Sequence, residues 1–221
     1  LLRFSISYST LIPMIALWVA LADAMISALG RLQNPRPYYS EFPDALRITE
    51  SRMNWAQTGD GLRMASYAPL FANTQAWQWT PNLIWVDSLN LYGTPNYYAQ
   101  QLFSRNRGDI VLPIQLAGIE KSASGVESLY ASASRDDEAN EIILKVVNPI
   151  RTPQQIHLSG LAGVNSPARQ TVLTAGDLHA ENSMANPREV APKESTIPIP
   201  GSDFTHNFPP LSLTVLRLKT K

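Results

Sequence analysis

The second half of the chain is built from short apolar runs that alternate with polar positions. In Glu141 to Val147, Ile142, Leu144 and Val146 fall on one face and Ile143, Lys145 and Val147 on the other. That two-residue period is the period of a strand. "DIVLPI", "SLYASASRD", "EIILKVVNP", "QQIHLSG", "ARQTVLTA" and "LSLTVLRLK" are short runs of this kind, bounded by Gly, Pro, Asn or Asp. Repeated strands separated by turn signals predict a β-sandwich from about Asp109 to Lys221, with its closing strand at Leu211 to Leu218. Ser134 to Ile142 predicts a polar hairpin turn between two of the strands. Leu178 to Phe204 predicts a long polar connection lying on the sandwich surface.

Upstream the texture differs. "TPNYYAQQLFSRNRGD" predicts a helix with Thr94 as N-cap, Pro95 at the first helical position and Gly108 past the end. A buried strand is predicted from Leu62 to about Tyr67, stopped by Pro69, and a further helix over Ala45 to Ala56 with Asp44 as its cap. A strand, a loop and a helix that hand over to an all-β half suggest the end of a barrel followed by an accessory domain.

Leu11 to Leu29 is apolar apart from Asp23. It admits three readings: a signal peptide, a membrane span, or a buried helix at a fragment boundary. The third is preferred, because the chain begins on Leu1 and its true start is expected elsewhere.

Composition narrows the function classes. Eighteen basic residues balance eighteen acidic ones, which argues against a nucleic-acid partner. There is no cysteine, and His157, His179 and His206 show no metal-ligand spacing, so a metal site is not expected. A membrane partner is not expected either, and the compartment stays open between secreted and cytoplasmic. Asp60, Asp87 and Asp109 read as turn residues or helix neighbours, and Asp136, Asp137 and Glu138 as a solvated turn.

The densest chemistry is aromatic. Met64 to Phe103 gathers Trp77, Trp79, Trp85, Tyr67, Tyr92, Tyr97 and Tyr98 around a single charge, Asp87. A loop leaving the C-terminal end of a barrel strand is where a barrel builds its site, so Asn73, Trp77 and Trp79 are the candidate substrate-adjacent residues. The competing reading packs such rings into a junction between barrel and sandwich, since each buries a large apolar area. It is preferred for Trp85, Tyr97 and Tyr98.

These residues resemble a known family. "MASYAPLFAN" and "QWTPNLIWVDSLNLYGTPNYYAQQLFSRNRGD" are similar to the end of the catalytic barrel of the family 51 α-L-arabinofuranosidases. "LYASASRDDEANEIILKVVNP", "DLHAENSMANPREVAP" and "PPLSLTVLRLK" resemble the C-terminal β-sandwich of the same enzymes, in the same order. The resemblance implies a mainly β fold, a jelly-roll-like sandwich (109–221) preceded by the last strand–helix unit of a truncated (β/α)8 barrel (62–108). Residues 1–61 remain an unplaced segment with an apolar helix, and "DALRITESRM" within it only echoes the family. Two explanations are open, a reading-frame or gene-model error that joined foreign sequence to a genuine tail, and true divergence; the abrupt onset of similarity favours the first.

The resemblance also implies an activity. These enzymes are retaining, cut arabinose-containing polysaccharides or oligosaccharides without a cofactor, and need two carboxylates about 5 Å apart. It places both glutamates upstream of "MASYAPL", where this chain carries neither motif. Glu41, in the proline-rich "YYSEFPD", lies too near Met64 to be the nucleophile. The isolated chain is therefore expected to be inactive, with no catalytic residue of its own. The alternative function is a non-catalytic carbohydrate-binding sandwich, against which stands the placement of the rings before the sandwich.

Overall fold

The computed structural model describes residues 69–77, 80–119 and 127–221. The helices expected at Leu11 to Leu29 and Ala45 to Ala56, the strand at Leu62 to Tyr67, Glu41 and Trp79 lie outside the described residues.

Each of the six apolar runs becomes a strand. They are β4 (Ile110–Leu112), β5 (Tyr130–Asp136), β6 (Glu141–Asn148), β7 (Gln154–Leu158), β8 (Ala168–Thr174) and β11 (Ser212–Lys219). Two strands occupy the region expected as a polar connection and its end: β9 (Lys193–Ile197) and β10 (Phe204–Phe208). Strand β9 is an exposed edge strand, so its Lys-Glu-Ser-Thr run carries no apolar face to reveal it. Strand β10 does alternate, but a histidine sits between its two inward phenylalanines.

Strands β4, β5, β6, β11, β8 and β9 form one antiparallel sheet in that order, while β10 pairs with β7 in a second. The hairpin between β5 and β6 closes where Asp136 pairs with Glu141, and Asn140 takes the left-handed backbone its turn requires (φ 53°).

Both faces of the larger sheet are covered, which is why β6 reads as almost continuously apolar. Ile143 and Val147 pack with Tyr130, Leu213 and Val215 against the helix α1 (Pro95–Arg105) through its Tyr98, Ala99 and Leu102. Leu144 and Val146 face the other way, with Leu216, Leu218, Phe204 and Phe208. The layers are thus helix, six-stranded sheet and two-stranded sheet.

Helix α1 follows its punctuation. The Thr94 side chain accepts from the backbone N–H of Tyr97 at 3.3 Å, and Pro95 opens the first turn. Asn106 caps the far end. Gly108 serves a close approach instead: a Cβ there would stand 2.7 Å from the Arg135 carbonyl oxygen on β5.

One guanidinium ties the helix end to the sheet. Arg217 on β11 donates from Nε to Glu141, from Nη1 to the Asn106 side chain at 3.2 Å and from Nη2 to Asp136 at 3.1 Å. Nearby, the ammonium of Lys145 lies 5.6 Å from the centre of the Phe103 ring. Burial, and secondarily the charge of Arg217, pushes its pKa down to about 8.

Candidate functional site

The ring-rich stretch, expected as a loop, contains a small sheet of its own. Strand β1 (Phe71–Asn73) runs parallel to β2 (Ile84–Val86), and β2 is antiparallel to β3 (Leu91–Gly93). Strands of three residues are too short to show a period, so their alternation could not be read beforehand.

Asn73 ends β1 and organises the turn that follows. Its side-chain oxygen accepts from the backbone N–H of Gln75 at 2.8 Å, and its carbonyl accepts from Ala76 at 3.2 Å. The turn delivers Trp77 to the surface, 51% exposed, with its ring edge-on to Trp85 at 5.8 Å and 86°. Trp85, in the middle of β2, is buried. The pair therefore consists of a fixed inner ring and an outer ring with a free face, a geometry suited to stacking on a flat apolar ligand surface.

At the same end of β2, just past Val86, the chain turns on Asp87. Its carboxylate accepts from the backbone N–H groups of Leu89 at 2.7 Å and Asn90 at 2.6 Å. Those bonds, Leu89 first, hold the Asp87 carboxyl below the usual aspartate range, as befits a turn residue. Exposed Leu70, Phe71, Leu89 and Leu91 extend the apolar surface of this small sheet.

The structure brings Asn73 and Trp77 into one turn, with Trp85 as their support. Trp85 and Tyr98 are buried as packing residues, and Tyr97 meets Tyr98 edge-on at 5.3 Å. Two carboxylates do stand opposite each other, Asp136 and Glu141, but both are engaged by Arg217, and Arg169 also reaches Glu141 at 3.5 Å. That is an ion-pair cluster bracing a hairpin, with Glu141 nearly inaccessible. His157 lies exposed on β7 and His179 exposed in a loop. Among the described residues no group of three or more His, Asp or Glu is placed to hold a metal ion. No described helix is long and apolar enough to cross a membrane.

With this geometry in place, the likeness to known proteins becomes informative. The α-L-arabinofuranosidase C-terminal domain family matches residues 36–212, taking in the ring pair, helix α1 and the sandwich as far as the first residue of β11. The chain belongs to that family. The match begins inside the segment left unplaced above, and so includes the "DALRITESRM" echo.

α-L-Arabinofuranosidase 1 of Arabidopsis thaliana is 35% identical over 165 residues, which is 72% of this chain and 24% of that protein. The probable α-L-arabinofuranosidase A of Aspergillus niger is 31% identical over 166 residues, 74% of this chain and 25% of its own length. The chain thus spans about a quarter of the length of the curated relatives it matches. Among solved structures, the arabinose-bound MgGH51 α-L-arabinofuranosidase superposes with a TM-score of 0.72 at 28% identity, covering 81% of this chain and 28% of that one. The Thermotoga maritima α-L-arabinofuranosidase, solved as an arabinose complex, shares the fold with a TM-score of 0.67 at 22% identity, over 80% of this chain and 37% of that one.

Proposed function

We propose that the chain is the C-terminal portion of a retaining α-L-arabinofuranosidase acting on arabinose-containing polysaccharides or oligosaccharides. Within it, Trp77 forms part of the wall on which the sugar rests, with Asn73 setting the turn; Trp79 stays a candidate on its sequence position alone. Family membership supports the reaction class. The observation that carries the role of this portion is the half-exposed ring of Trp77, braced edge-on by buried Trp85 at 5.8 Å. An outer ring held by an inner one is pre-organised, so it meets a ligand at little entropic cost.

The catalytic carboxylates belong to the part of the enzyme upstream of "MASYAPL". The purified chain accordingly turns over no aryl α-L-arabinofuranoside above background. Clear turnover that vanishes in Glu41→Gln would overturn this and make Glu41 the nucleophile. The sugar-wall role is tested by titrating α-L-arabino-oligosaccharide into the chain and into Trp77→Ala. Binding by the first that is lost in the second is expected, and equal binding by both would refute it.

A further inference from the structure

The joint between the small ring-bearing sheet and the sandwich is closed by one side-chain amide. Asn182, in the segment that follows β8, is only 3% exposed. Its Nδ2 donates to the Gly93 carbonyl at 2.8 Å and to the Val190 carbonyl at 2.9 Å, while its Oδ1 accepts from the Val190 N–H at 2.7 Å. One side chain thereby satisfies three backbone groups, two in its own segment and one at the end of β3. The segment is itself anchored, since Val190 and Ala191 lie in the same core as Tyr98, Leu102, Ile143 and Leu213.

From Gly93 the linkage runs directly to the rings. Gly93 pairs with Ile84 and Tyr92 with Trp85. The next residue, Thr94, donates both its N–H and its hydroxyl to the Leu83 carbonyl, each at 3.0 Å. Trp85 sits between these fixed points and carries Trp77 on its edge. The joint tolerates no bulk: a Cβ on Gly93 would stand 2.3 Å from the Tyr97 ring.

We propose that Asn182 is a positioning residue through which the sandwich sets the place of Trp85, and so of Trp77. The accessory domain then takes part in shaping the sugar-facing surface although none of its strands contributes to it. The sugar half of this inference rests on the function proposed above; the mechanical half does not.

The test compares Asn182→Ala and Asn182→Asp in the full chain by amide hydrogen exchange and by the indole resonances of Trp77 and Trp85. The alanine is the milder variant, since it only removes the bonds, whereas the aspartate keeps an acceptor for Val190 but sets a buried oxygen against the Gly93 and Val190 carbonyls and must open 83–94 further. Exchange at residues 83–94 is expected to quicken about tenfold, with both indoles shifted, while β6 and β11 keep their protection. Unchanged exchange at 83–94, or a uniform loss across the whole sheet, would overturn the proposal. Titration with α-L-arabino-oligosaccharide then separates the two claims. Weaker binding by the variants supports the positioning role, and undiminished binding despite faster exchange refutes it. No binding by the parent chain refutes the sugar reading alone and leaves the coupling to be decided by exchange.

Discussion

Strand β6 and strand β1 illustrate two kinds of sheet in one chain. β6 is apolar on both faces and covered on both, by helix α1 on one side and the two-stranded sheet on the other. β1 carries Phe71 at 56% exposure beside exposed Leu70, and across β2 the turn residue Leu89 and Leu91 of β3 are more open still. Among the described residues, the exposed large apolar side chains are Leu70, Phe71, Trp77, Leu89 and Leu91 in and around the small sheet, and Ile110, Val111 and Leu116 on or just after β4, the edge strand of the sandwich. Apolar residues that a fold covers are there for stability, whereas a contiguous set left open marks a surface made for contact. The comparison separates a sheet covered on both faces from one that leaves apolar side chains open.

The sharpest way to break that distinction is to hollow out the covered sheet. Leu216 is fully buried at the centre of β11, and Leu216→Ala is expected to cost about 4 kcal/mol in urea unfolding. A loss below about 1 kcal/mol would mean that the sandwich core is not what holds the chain together.

A smaller effect comes from Lys145, a buried lysine on the opposite, helix-covered face of the same sheet. The Lys145 pKa of about 8 lies below its ordinary 10.5, so between those values the folded chain binds fewer protons than the unfolded chain. Stability contributed by this group therefore rises with pH across that window, and the cost of the buried charge is fully present below pH 8. Lys145→Met is expected to stabilise the chain by on the order of 2 kcal/mol at pH 7, with the gain fading as pH approaches 10.5. A gain that does not change between pH 7 and pH 10.5 would assign it to packing alone.

The smallest effect belongs to the open sheet. Trp77→Ala is expected to move the unfolding free energy by no more than about 0.5 kcal/mol, because half the ring is already in water. A loss comparable to that of Leu216→Ala would move Trp77 from the contact surface into the core and erase the contrast.

What could be read beforehand follows the same division. Runs such as Glu141 to Val147 show their strand because both faces must be apolar over several residues. Thr94 and Pro95 mark the helix start because capping is local chemistry. Lys193 to Ile197 did not show itself, since an exposed edge strand needs no apolar period and is held by pairing to β8. Asn73 and Trp77 could be nominated as candidates from the ring-rich loop, yet the support from Trp85 and Asn182 was not legible. A bond between residues 89 positions apart leaves no pattern in a single sequence, and a buried amide reads like any other loop asparagine.

The place of β11 in the sheet has a consequence for synthesis on the ribosome. It lies between β6 and β8 and joins two halves of the sheet, yet every strand it joins is made before it. At roughly 5–20 residues per second, the inner edge of β6 waits several seconds for its partner. During that interval "IILKVV" presents an unpaired apolar edge to any other strand nearby. A nascent chain paused before Ser212 would hold both halves of the sheet but not the seam between them, with the β6 edge open to pairing with another chain.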